Sequence, residues 1–132
     1  LVSAGDLSEV AAPTGRRSID GVVESARSRI ARLTPAQAIN AWHAGAVDLR
    51  PAAQREAEGE LSGALVIERN VLEWRFDPAC DARLAIADYD LKVIVLCQEG
   101  YASSLAAVSL QNLSIRRATD VIGGYAAWRD LL

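Results

Sequence analysis

The chain has 132 residues, 51% of them apolar but only 5% aromatic, and a formal charge of −3 at neutral pH. That length suits one domain with a core of its own, and the charge excludes broad attraction to nucleic acid or an anionic membrane. The alanine-rich apolar content favours helices packed closely on a sheet over an aromatic-rich β-sandwich.

The first 17 residues hold Pro13, two glycines and Arg16-Arg17 without periodicity, and read as a flexible lead-in to a domain over 18–132. Ile19, Val22, Val23, Ala26, Ile30 and Leu33 then fall at helical spacing, so 18–33 is expected to be an amphipathic helix with a solvated arginine face. Thr34-Pro35-Ala36-Gln37 has the form of a capping box with proline at the first helical position. The helix it opens carries Ala38, Ile39 and Trp42 and ends near Gly45.

Ala46-Val47-Asp48-Leu49 reads as a strand, Ala52 to Glu58 as a helix after Pro51, and Ala64-Leu65-Val66-Ile67 as a second strand. A helical turn follows over 69–76, then a loop-rich stretch over 77–90. Val93 to Leu96 is the third strand, 103–113 a helix, 118–122 a fourth strand, and 125–132 a closing helix after Gly123-Gly124. Strands alternating with helices imply parallel pairing through right-handed crossovers. The expected architecture is α/β in three layers, α/β/α, around a mostly parallel sheet of four to five strands.

Neither C-x-x-C spacing nor a metal-ligand cluster links the two cysteines, Cys80 and Cys97, which read as free thiols in a reducing compartment. No segment approaches the roughly 20 apolar residues of a membrane span. Leu1-Val2-Ser3-Ala4-Gly5 lacks the basic and apolar regions of a secretory signal, so the expected location is the cytoplasm. The absence of methionine fits a fragment or a processed form.

Cys97 is the residue that speaks to chemistry. It ends the apolar run Val93-Ile94-Val95-Leu96 and opens the loop Gln98-Glu99-Gly100-Tyr101-Ala102 ahead of a helix. In open α/β sheets functional groups gather at the carboxyl ends of strands. Inward-turned amides and the positive end of a helix both favour a thiolate. Gly100 supplies the freedom such a curl requires. On spacing alone, a reactive thiol and an inert buried cysteine remain equally open.

Four segments in order resemble the single-domain rhodaneses, a sulfurtransferase family. Cys97-Gln98-Glu99-Gly100-Tyr101-Ala102-Ser103 resembles their active-site loop. Val47-Asp48-Leu49-Arg50 resembles an early D-x-R motif, and Glu58-Gly59-Glu60-Leu61-Ser62-Gly63-Ala64 a G-H-I-P-G-A turn. Val121-Ile122-Gly123-Gly124-Tyr125-Ala126-Ala127-Trp128 resembles a C-terminal G-G-[YF]-x-x-W signature. The resemblance spans residues 34–132. It implies a rhodanese-like fold and sulfur transfer without a cofactor, through a Cys97 persulfide cradled by residues 98–103. The implied partners are a small sulfur donor such as thiosulfate or a persulfide, a thiol or cyanide acceptor, and a sulfur-relay protein as a further candidate.

Many members carry a basic residue in the loop or an arginine before its last hydroxyl residue; here those positions read Gln98, Glu99 and Ala102. That departure disfavours dianionic thiosulfate and leaves a less charged donor open. Arg69 and Arg75 are the candidates for positive charge, against the alternative of surface pairs with Glu68 or Glu73. Asp48 and Arg50 read as a supporting pair, Tyr101 as a pocket wall or loop packing, and Cys80 as a bystander. The sole histidine, His43, reads as surface, and Trp42, Trp74 and Trp128 as packing residues. Two other functions compete with the enzyme. One is a non-catalytic rhodanese-like module that carries sulfur or binds protein. The other is a cysteine phosphatase, whose C-x5-R signature would need arginine where Ser103 stands.

Overall fold

The computed structural model describes residues 10–42 and 45–131; His43 lies outside them. Four short strands form the sheet: β1 (Ala46–Asp48), β2 (Leu65–Val66), β3 (Ile94–Leu96) and β4 (Thr119–Asp120). Their order is β2-β1-β3-β4 and every pairing is parallel. The segment at Leu33 adds one parallel bridge to Val121 beyond β4. The expected parallel α/β sheet is present, with four strands and this bridge as its outer fringe.

Among the described residues six helices surround it: α1 (Ile19–Arg27), α2 (Pro35–Asn40), α3 (Ala52–Glu58), α4 (Leu72–Phe76), α5 (Ala102–Gln111) and α6 (Gly124–Arg129). A 3₁₀ turn, Arg69–Val71, leads into α4. The Thr34 box closes at both ends, its hydroxyl accepting from the Gln37 amide and its own amide donating to the Gln37 side chain. α1 stops at Arg27, short of the expected 33, because the chain turns there to bury Ile30 and bring Leu33 beside Val121.

Strand alternation sorts the core into two faces. Val47, Val93 and Val95 face Leu72 and Phe76 of α4 and Ala106 and Leu110 of α5. Ile94 and Leu96 face Ala38 of α2 and Tyr125 and Trp128 of α6. Trp42 and Trp128 pack with their rings tilted by 57°, 4.4 Å between ring centres. Trp74 departs from the packing role expected of it and is 58% exposed. Residues 10–17 lie outside regular elements on the surface. Among the described residues, no helix is long and apolar enough to cross a membrane.

Candidate active site

β3 ends at Leu96, so Cys97 is delivered to the carboxyl edge of the sheet's centre, between β1 and β4. Its side chain is buried, and its sulfur accepts a hydrogen bond from the Gly100 amide at 3.2 Å. Among the described residues this is the one main-chain donor on the sulfur, where several inward-turned amides were expected. The reversal that aims it depends on Gly100, whose φ is +87°, a conformation costly for any residue with a Cβ.

Three of the loop's carbonyls, those of Cys97, Gln98 and Gly100, are held by partners on other elements. Cys97 and Gln98 accept from the amides of Tyr125 and Ala126 in the first turn of α6, at 2.8 and 3.0 Å. These are donors that a helix start leaves without an internal acceptor. So close an approach needs Gly124, and both it and Gly123 take a positive φ, +62° and +77°. A Cβ on Gly124 would lie 2.4 Å from the Cys97 carbonyl oxygen and 2.7 Å from the Gly100 nitrogen. The double glycine that opens the last helix is therefore the seat of the cysteine loop.

Asp48 and Arg50 brace the loop from β1. Arg50 is 1% exposed and uses all three of its nitrogens. Nε and Nη2 reach the Asp48 carboxylate at 3.1 and 2.9 Å, Nη2 also reaches the Gly59 carbonyl at 2.8 Å, and Nη1 donates to the Gln98 side-chain oxygen at 3.2 Å. Its guanidinium also lies 3.8 Å from the centre of the Tyr125 ring. A rigid fork meeting planar acceptors is the use for which arginine is suited and lysine is not.

Three side chains that sequence reasoning passed over hold the opposite flank. Asp120, fully buried at the end of β4, accepts from the hydroxyls of Ser103 and Ser104 at 2.8 and 2.7 Å and from Arg32 Nε at 2.8 Å. Arg32 Nη2 and Arg27 Nη2 both donate to the Gly100 carbonyl, at 3.0 and 2.8 Å. Arg27 Nε also reaches Ser104, and its guanidinium lies 5.2 Å from the centre of the Tyr101 ring. The arginine face expected to be solvated thus turns partly inward onto the loop. A carboxylate within the apolar run Val121-Ile122 and Ala118 was the signal for Asp120; nothing local marked Arg27 or Arg32.

Cys97 opens into a shallow cleft of about 240 Å³ lined also by Gln54 of α3 and by Gln98, Glu99, Tyr101 and Ala102. Glu99 and Tyr101 are exposed there. Ser103 departs from its expected place in a sulfur cradle: it lies inside α5 with its hydroxyl on Asp120. Arg69 and Arg75 do not supply charge to the cleft. Arg69 pairs with Glu73 at 2.8 Å and Arg75 donates to the Ala82 carbonyl, and neither lines the cleft of Cys97. Cys80 lines a separate depression with Glu73, Trp74, Asp77 and Leu113.

The sequence matches the family model of the rhodanese-like domain over residues 34–131. A protein of unknown function from Rhodopseudomonas palustris, described as a possible tyrosine phosphatase, is 31% identical; the match covers 92% of this chain and 96% of that one, with a TM-score of 0.79. The human single-domain sulfurtransferase is 20% identical over 75% of this chain and 95% of its own, with a TM-score of 0.60. A rhodanese-related protein from Thermoplasma volcanium is 22% identical over 76% and 91%, also at 0.60. The latter two share the fold. Comparison with curated protein sequences finds no match.

Proposed function

The chain belongs to the rhodanese-like domain family, and from that premise we propose that it is a sulfurtransferase working through Cys97. The thiolate attacks the outer sulfur of a donor, the donor's S–S bond breaks, and sulfite or a thiolate leaves. The Cys97 persulfide then yields its outer sulfur to a thiol or cyanide, regenerating the thiolate. This is two-step nucleophilic catalysis, and the chemistry requires no metal or organic cofactor.

The observation that carries the reading is Cys97 lining an open cleft, with the Gly100 amide on its sulfur while the Cys97, Gln98 and Gly100 carbonyls are drawn away. The Gly100 amide is placed to donate to charge that develops on this sulfur during transfer, and the three withdrawn carbonyls do not oppose it. A phosphatase would instead need an arginine fork over the loop; the position that should supply it is Ser103, whose hydroxyl is on Asp120.

Intact mass after incubation with thiosulfate or an alkyl persulfide tests the proposal. The expected product is the protein plus one sulfur atom, absent in Cys97→Ser and discharged by cyanide. No gain with either donor would favour the alternative, a domain that binds protein without transferring sulfur.

A further inference from the structure

Every guanidinium around the cysteine loop is committed to protein acceptors. Arg50 spends its three nitrogens on Asp48, Gly59 and Gln98. Arg27 and Arg32 grip the Gly100 carbonyl, with Arg32 also on Asp120. Arg55, beside Gln54, is held by Glu60 at 2.9 Å and by the Arg50 carbonyl. Among the described residues, the cleft that Cys97 opens into is otherwise lined by the neutral Gln54, Gln98, Tyr101 and Ala102 and by one charged residue, the exposed Glu99.

We propose that Glu99 is a specificity-determining residue that turns the site toward a cationic sulfur donor, an alkyl persulfide carrying an ammonium group near its sulfane sulfur, and against small dianions. The inference rests on the sulfurtransferase reading of Cys97. A dianion entering this cleft approaches Glu99 with like charge and meets no free arginine fork, while an ammonium is attracted by the same carboxylate. In the transfer step the Cys97 thiolate attacks the outer sulfur of R–S–SH. The S–S bond breaks, R–S⁻ leaves with its electron pair, and Cys97–S–SH forms. One negative charge is present before and after, and no oxidant or reductant is consumed. The ammonium of R also steadies the departing thiolate.

Single-turnover loading by thiosulfate and by cysteamine persulfide, followed by mass, separates the possibilities. Wild type is expected to load from the persulfide at least about tenfold faster at equal concentration. Added inert salt should speed thiosulfate loading and slow persulfide loading, as screening of repulsion and of attraction requires. Glu99→Lys is expected to raise the thiosulfate rate about tenfold and reverse its salt dependence, a sign change that an altered loop shape would not produce. A wild-type preference for thiosulfate, or a donor ratio unmoved by Glu99→Lys, overturns the inference while leaving the sulfurtransferase intact. Loading by neither donor overturns both.

Discussion

Removing the Asp120 carboxylate strands the Ser103 hydroxyl and leaves Ser104 and the guanidinium of Arg32 with only the Gly100 carbonyl, and Arg32 without its counter-charge. Arg32 is only 15% exposed, so its charge would be left with little water in place of its partner. Breaking a buried pair from one side leaves an uncompensated charge, and Asp120→Ala should cost about 3 kcal/mol. Urea unfolding checks this; a loss below about 1 kcal/mol would mean that water reaches Arg32 and replaces the carboxylate. Asp120 also shows why single residues are hard to weigh from sequence. It stood in plain view inside an expected strand, but its worth depends on two serines and an arginine that fold onto it from other elements. Asp48 and Arg50 were easier to read because their pairing is local, two residues apart across a strand end.

At the scale of elements, the junction of the β3 loop with α6 does most to shape the site. Two chain segments meet backbone to backbone there, with no side chain between them. Gly124→Ala would set a Cβ against the Cys97 carbonyl and the Gly100 amide, and would also force a side chain into the left-handed region. The overpacking and the conformational cost together should exceed about 2 kcal/mol. The same shift should slow sulfur loading, because the Gly100 amide moves off the sulfur. Thermal unfolding alongside the loading rate measures both; a variant with normal stability and normal loading would show that the junction yields without cost. The glycine pair was legible as a break before the last helix, and the Thr34 box as a helix start. Such signals are written within a few residues of where they act. The end of α1 was not, since it is set by Ile30 and Leu33 finding partners on the sheet.

For the molecule as a whole, acid stability passes partly through Glu73, which joins α4 to α5. Burial alone would raise its carboxyl, but the Ser109 hydroxyl, its own backbone amide and Arg69 overcome that and hold it below the usual carboxylate range. A folded-state value below the unfolded one gives stability that is present above the unfolded pKa and lost as pH falls through the folded one. Ser109→Ala should therefore be less stable than wild type at neutral pH, with the gap closing as pH drops below the carboxylate range. Unfolding curves taken across that range decide it; a gap that persists undiminished in acid would assign the loss to packing.

The sequence by itself determined the parallel α/β architecture, the position of Cys97 at a strand end, and the loop and glycine motifs that tie the chain to its family. Apolar runs, helical spacing, caps and glycine breaks act between near neighbours, so they survive in the linear order of residues. Tertiary structure alone decided which charges surround the sulfur. It turned Arg27 and Arg32 inward, took Arg69 and Arg75 out of reach, brought Gln54 to the cleft and left Glu99 facing it. A guanidinium meets whichever acceptor the docking of helices on the sheet brings within its reach, and that encounter joins residues remote along the chain.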